Sequence, residues 1–166
     1  IYVPYCVNGV ANATGTPTIT VSAPGFAGGT QAVTVVPSGI EIINLPTTTS
    51  MSDETNWYVQ TGIFDPTGTY LMTVQNVGFG GPAFVVTLSN SNAGVAQLAS
   101  DEPVAAGQTV SKPIQPGVYY TYAALPGTTY GLTFDPLAAG STTVTATGPA
   151  GVVTATQGVR TVTISP

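Results

Sequence analysis

Histidine is absent from this chain, and only 5% of its 166 residues are charged. Without histidine, no Ser-His-Asp or Cys-His nucleophile can form, and no imidazole can bind zinc or haem. Soluble proteins carry about 25% charged residues, so this surface must be hydrated by Thr, Ser, Asn and Gln side chains and by the backbone. Because few charges repel neighbouring copies, such a surface tolerates close packing, which favours an extracellular or polymeric protein.

Positive charge is the scarcest kind, since Lys112 and Arg160 are the only basic residues and the net charge is −5. A chain without a basic patch lacks the electrostatic attraction that carries binding to nucleic acids and anionic membranes, so we expect neither partner. No segment approaches the roughly 18 consecutive apolar residues of a membrane helix, and we expect no membrane insertion. The start at Ile1, without an initiator methionine or apolar leader, is interpreted as a processed chain or a segment of a longer one.

Cysteine occurs once, at Cys6, which excludes an internal disulfide and a cysteine-based metal site within one chain. Between Tyr5 and Val7 this residue is expected to be a small buried apolar side chain, and an intermolecular bridge is the alternative. No motif in the chain indicates a cofactor.

Short segments rich in Val, Ile, Thr and Tyr, separated by Gly- and Pro-containing turns, make up most of the chain. Several alternate apolar with polar residues, as Phe84, Val86 and Leu88 do, which indicates strands with one buried face. We therefore predict an all-β fold, an antiparallel sandwich. The predicted strands are 18–23, 32–36, 39–45, 56–61, 69–77, 82–89, 117–124, 129–134, 142–147, 151–156 and 159–165. The predicted core consists of Ile40, Ile42, Trp57, Val59, Met72, Val74, Phe84, Val86, Leu88, Leu132, Val144 and Ile164.

The end of the chain repeats its beginning. Residues 18–24 align with residues 143–149 at an offset of 125, and residues 33–37 align with residues 162–166 at an offset of 129. Upstream, Tyr2 aligns with Tyr119 at an offset of 117. Small changes of offset are what loop insertions produce between copies of one unit. Residues 1–37 are therefore predicted to be a partial module that neighbours must complete, and residues 38–166 a complete one.

Four stretches, 16–26, 39–46, 80–91 and 131–144, resemble the tandem immunoglobulin-like (Big-like) β-sandwich repeats of large bacterial surface proteins. The resemblance implies an all-β, immunoglobulin-like module strung into rods at the cell exterior, where it serves as spacer, scaffold or adhesin. It supplies no catalytic motif, and we do not expect an enzyme.

The function expected from these features is structural: the building block of an extracellular, cell-surface filament or rod made of copies of the same chain. Its assembly segment is expected at the strand-like N-terminus, formed by Ile1, Tyr2, Val3, Tyr5, Cys6 and Val7, which a neighbouring subunit would receive as a donated strand. The alternative is a spacer or a carbohydrate-binding adhesin module of a longer repeat protein, with surface glycans as partners.

Carboxylates are the remaining candidates for chemistry. Two acidic pairs, Asp53 with Glu54 and Asp101 with Glu102, are of the kind that can bind calcium or serve a glycosidase. Both pairs lie between predicted strands, where solvated turn residues are expected, and calcium is the alternative. Asp65 and Asp135 stand in repeated Phe-Asp-Pro sequences and are expected to bond turns.

Modification is possible at two positions. Asn12 begins the only Asn-X-Ser/Thr sequon, in a polar loop before a strand, and is the expected glycan acceptor in a glycosylating host. Lys112 could form an isopeptide bond with an Asn or Asp, but a solvated lysine beside Pro113 is expected because burying an unpaired ammonium group is costly.

Tyr119, Tyr120 and Tyr122 could stack on sugar rings or pack against the protein's own surface.

Overall fold

A computed structural model describes residues 13–65, 67–80, 83–122 and 131–166 of the chain. The fold is all-β with several sheets, as the alternation of apolar and polar residues predicts. The chain divides into two compact units, residues 1–37 and residues 38–166. They are called the first unit and the second unit below.

The first unit contains an antiparallel hairpin of β1 (Thr18–Val21) and β2 (Gly29–Ala32). A further bridge between Gly15 and Val35 continues the pairing outward, with N–H···O distances of 3.0 and 2.7 Å. The predicted second strand, 32–36, is thus placed too late, because regular pairing begins at Gly29. The strand expected near Tyr2 lies outside the described residues.

The second unit carries the other strands, two of which flank a short 3-10 turn at Thr156–Gly158. In chain order they are β3 (Gly39–Ile43), β4 (Thr48–Ser50), β5 (Thr55–Phe64), β6 (Leu71–Val74), β7 (Phe84–Asn90), β8 (Ala96–Asp101), β9 (Val104–Gly107), β10 (Thr109–Ile114), β11 (Leu132–Pro136), β12 (Gly140–Thr147), β13 (Val153–Thr154) and β14 (Val159–Ser165).

These strands form two sheets. One has the order β10-β7-β12-β14-β4, and the other has the order β13-β3-β5-β11-β8-β9, with β6 paired to β5 off the main path. Most pairs are antiparallel, while β4 runs parallel to β14 and β13 runs parallel to β3. A single hydrophobic cluster draws on both sheets, with Ile42 and Leu98 from one and Leu88 and Val144 from the other. Apolar faces that meet in this way are consistent with a β-sandwich.

Most of the predicted core is confirmed. The buried members are Ile40, Ile42, Trp57, Val59, Val86, Leu88, Leu132, Val144 and Ile164. Phe84 is half-buried, and the prediction is wrong for Met72 and Val74, which are 60% and 39% exposed. In β6 the buried residue is Leu71, and the pairing of β5 with β6 is irregular between Ile63 and Phe64. A one-residue change of register reverses which side chains face inward.

The segment from β8 to β10 was not predicted to be strand, although it supplies Leu98, Val110 and Ile114 to the core. Conversely, the predicted strand 117–124 shows only a single bridge, from Tyr120 to Gln60, within its described part. Among the described residues there is no helix with the length and apolar character that crossing a membrane would take.

Candidate functional site

The hairpin of the first unit exposes an apolar face. Directly opposed residues of an antiparallel pair share a face, so Ile19 and Val21 lie on the same side as Val33 and Val35. Val21 is 54% exposed and the other three are only half-buried. At the turn, Phe26 is 81% exposed. No residue of the described part of this unit, 13–37, is buried.

The register of this hairpin is the register of β12 and β14. Thr18 pairs with Ala32, and the aligned residues Thr143 and Thr161, at offsets of 125 and 129, also pair with each other. The same correspondence relates the bridge between Gly15 and Val35 to the pair of Gly140 and Ile164. Two segments that were aligned by sequence alone therefore form antiparallel strand pairs with the same register, although β13 and the 3-10 turn separate β12 from β14 along the chain.

The corresponding faces differ in their surroundings. The residues of β12 and β14 that align with Ile19, Val21, Val33 and Val35 are Val144, Ala146, Val162 and Ile164, and all four are at most 2% exposed. In the second unit β12 also pairs with β7, and β14 pairs with β4. The first unit's hairpin, by contrast, is a two-stranded sheet.

Three outer strands of the second unit, β4, β10 and β13, are poorly suited to receive a further strand. The edge strand β10 contains Pro113, which has no N–H to donate. At the opposite edge of that sheet β4 has three residues, and β13 at the edge of the other sheet has two. Short strands and prolines are devices that limit edge-to-edge pairing.

Lys112 is buried, so the expectation of a solvated lysine is wrong. The residue is 1% exposed, lies on the inward side of β10 between Val110 and Ile114, and its Nζ donates to Oδ1 of Asp101. The Asp101 side chain is only 6% exposed, which also corrects the expectation that this acid is a solvated turn residue. Asp101 belongs to β8 in the facing sheet, and its carboxylate offsets the cost of burying the Lys112 ammonium group.

Gly131 leaves the space that this ion pair occupies. A Cβ at position 131 would lie 2.5 Å from Asp101 Oδ1 and 2.8 Å from Lys112 Nζ, closer than side chains allow. Its φ of 72° is also one that glycine adopts most readily. The Gly131 carbonyl accepts the Asp101 N–H at 3.1 Å, so the same residue positions the carboxylate.

The other acidic pair has no such partner set. Asp53 is exposed and accepts from the Thr49 hydroxyl at 3.2 Å, and Glu54 is exposed, as is Glu102 beside Asp101. In the ranges that the structure describes, no three Asp, Glu, Cys or His side chains gather as they would around a metal ion. Calcium at Asp53, Glu54, Asp101 or Glu102 stays a prediction.

Asp65 bonds its turn as expected, whereas Asp135 does not. Hydrogen bonds lower the pKa of Asp65 from 3.8 to about 2, and the largest contribution comes from the Thr67 hydroxyl. The N–H groups of Tyr70, Thr67 and Thr69 also donate to this carboxylate. Desolvation by burial opposes the shift. Asp135 lies within strand β11 and accepts from Gln97 Nε2 at 2.7 Å on the neighbouring strand.

Glu41 was not singled out by the sequence, although it is only 4% exposed. Its two carboxylate oxygens accept from Gln60 Nε2 at 2.5 Å and from the Leu71 N–H at 2.9 Å. These bonds fix the start of β6 to β3. The only sequence signal was an acid between Ile40 and Ile42, in a position that alternation assigns to the wet face.

Three tyrosines surround Tyr120. Its ring centroid lies 5.1 Å from that of Tyr119, 5.7 Å from that of Tyr58 and 6.4 Å from that of Tyr122. Tyr122 is 56% exposed, and the other rings are half-buried. The cluster therefore offers both packing contacts and an accessible aromatic surface.

The expected assembly residues Ile1, Tyr2, Val3, Tyr5, Cys6 and Val7, and the expected glycan acceptor Asn12, lie outside the described residues. No protein-family model matches the chain, and no curated protein sequence matches it.

Proposed function

We propose that this chain is the building block of an extracellular filament or rod, assembled through β-strand pairing between copies. The observation that carries the proposal is the exposed apolar face of the first unit, which has the pairing register of β12 and β14. A hairpin that keeps the register of a sandwich but not its cover has a surface suited to a neighbour.

The second unit indicates what that neighbour supplies. Its antiparallel pair of β12 and β14 is flanked by β7 and β4 and lies against β3 of the facing sheet. A neighbour that contributed equivalent strands to β1 and β2 would complete an immunoglobulin-like sandwich around the first unit. In a homopolymer these strands belong to another copy, and each copy in turn donates its N-terminal segment 1–7 to a neighbouring copy.

Charge and strand edges both direct assembly to the first unit. Residues 1–37 contain no Asp, Glu, Lys or Arg at all, so no like-charge repulsion opposes their burial. Three outer strands of the second unit, β4, β10 and β13, are short or contain Pro113. Head-to-tail contacts of this heterologous kind form open filaments rather than closed pairs.

The test is deletion of residues 1–7 from the full chain. Electron microscopy of the native protein at high concentration should show fibres, and the deletion should abolish them while circular dichroism still reports a folded β protein. Fibres that persist after the deletion, or an intact protein that stays monomeric, would refute assembly through this segment.

A second candidate is a carbohydrate-binding adhesin module, and the tyrosines around Tyr120 are the observation that favours it. Partly exposed aromatic rings can stack on sugar rings. This function requires a monomer whose tyrosine fluorescence responds to glycans, with Tyr122→Ala as the variant that loses the response. It does not require residues 1–7, so the deletion separates the two candidates.

A further inference from the structure

The amine of Lys112 and the carboxylate of Asp101 are positioned so that they can condense with each other. The Lys112 amine nitrogen and an Asp101 carboxylate oxygen are in direct hydrogen-bond contact, and both side chains are almost fully shielded from solvent. Each belongs to a different sheet, Lys112 to β10 beside β7 and Asp101 to β8 beside β11. We propose that these two residues form an intramolecular amide bond between Lys112 Nζ and Asp101 Cγ, which links the two sheets covalently.

The reaction balances within the pair. A proton passes from the Lys112 ammonium group to the Asp101 carboxylate, which leaves a neutral amine and a carboxylic acid. The amine nitrogen then attacks Cγ, the C–N bond forms, and the C–O bond to the protonated oxygen breaks. One nitrogen-bound proton leaves with that oxygen, so one water molecule is released and no oxidant, reductant or other reactant is needed.

Burial supplies the driving force for this change. Charges are costly to keep where water is excluded. A neutral amide also removes two charges from the interior, and it keeps an N–H and a carbonyl that can still be hydrogen-bonded. The water it releases leaves a site that has little room for solvent.

The strands supply the proximity. Beside the pair, the Ser100 hydroxyl donates to the Ser111 carbonyl at 3.4 Å, which joins β8 to β10 at the neighbouring position. The Asp101 N–H is held by the Gly131 carbonyl. Two reacting groups that the fold holds in contact react as one molecule and do not have to meet by diffusion.

Gly131 makes the approach possible. Because a side chain at position 131 would meet both Lys112 Nζ and Asp101 Oδ1, glycine here keeps the space between the two sheets open for them. A substitution such as Gly131→Ala would push the two reacting atoms apart, and we expect it to slow or prevent the bond.

Mass spectrometry of the intact, denatured wild-type protein tests the inference directly. The cross-linked chain should be lighter than its sequence mass by one water. Lys112 is the only lysine, so an amine-reactive label applied under denaturing conditions should attach only to the α-amino group. Proteolysis should release a branched peptide that joins the segments containing residues 101 and 112.

Two outcomes would overturn it. A wild-type protein of full mass that takes a label at Lys112 has no such bond. A protein that has lost one water but is still labelled at Lys112 has dehydrated elsewhere, for example to a succinimide. Lys112→Arg keeps the positive charge without the attacking amine and should show the full mass. The wild-type measurements decide the question even if this variant does not fold.

Discussion

The two units of the chain contain antiparallel strand pairs of the same register whose apolar side chains differ in burial. In the second unit Val162 and Ile164 are buried beneath a facing sheet, whereas in the first unit their counterparts Val33 and Val35 are only half-buried. The register of an antiparallel strand pair can therefore be specified locally. Burial of its face depends on strands that lie elsewhere in the chain or in another chain.

Charge separates the two units in the same way. All the acidic and basic side chains of the protein lie in residues 38–166. There Glu41, Asp65 and Lys112 are buried, and each is engaged by named hydrogen-bond partners. The second unit therefore combines an apolar core with specific polar contacts. In the described part of the first unit, 13–37, no residue is buried and an apolar face is exposed, which suits an element that is stabilised by assembly.

The difference in burial should disappear if the strands that we propose a neighbour supplies are joined to the first unit in the same polypeptide. Because Tyr2 aligns with Tyr119, a copy of residues 38–117 joined ahead of Ile1 should build a complete first sandwich. Hydrogen exchange of β1 and β2 amides should then slow by at least about a hundredfold, since opening them would require disrupting a cooperative core. Exchange measured by mass spectrometry on peptides from residues 18–32 provides the readout.

A matched control for this extension carries Val86→Asp and Leu88→Asp in the added segment only. It has the same length but cannot form the apolar face of its β7 equivalent, so the hairpin amides should exchange as in the original chain. If the unaltered extension gives no more protection than this control, the two hairpins are not equivalent and the comparison fails.

Aligned valines give a smaller effect. Val162→Ala should lower the free energy of unfolding of the second unit by about 1.5–3 kcal/mol, through lost apolar burial and the cavity that remains. Val33→Ala should change the free energy of opening of the first unit's hairpin in the monomer by less than about 0.5 kcal/mol, because the side chain is not enclosed. Urea titrations followed by fluorescence of Trp57, which lies in the second unit, measure the first effect, and hydrogen exchange on peptides from residues 18–32 measures the second. Equal losses at the two positions would show that the first unit is already covered.

The sequence predicted the strands whose β-branched residues alternate, such as β7, β12 and β14. The two offsets aligned the segments that pair in the same register, but they did not predict that pairing. It failed for β8 to β10, where small residues such as Ala96 and Ser100 occupy inward positions and Pro103 and Pro113 read as breakers. A weaker signal was present, since Ala96, Leu98 and Ser100 do alternate, but residue size and β propensity did not support it.

The candidate site was harder to predict because its partners come from different elements. An unpaired ammonium group is costly to bury, which predicts a solvated Lys112, but Asp101 reaches this residue from the facing sheet and pairs with it. Alternation places Glu41 on the opposite side of β3 from Ile40 and Ile42, but the Leu71 N–H and the Gln60 side chain enclose it. In both cases local pattern gives the direction of a side chain, and tertiary contacts decide whether that direction leads to solvent.

The smallest expected effect is the response to acid, which should act on the second unit alone. The pKa of Asp65 is lowered from 3.8 to about 2 in the folded protein, so its carboxylate stabilises the fold above pH 3.8 and this contribution is lost as the pH falls towards 2. Between mild acid and neutral pH the melting temperature should therefore change little. Asp65→Asn should flatten the decline of the melting temperature below pH 4, as measured by thermal melts.

The first unit has no titratable side chain other than those of Tyr2, Tyr5 and Cys6, so fibres already formed should keep their subunit contacts over the same acidic range. Fibres that dissociate between pH 4 and pH 7 would show that charged groups of the second unit contribute to the interface, contrary to the division of roles between the two units.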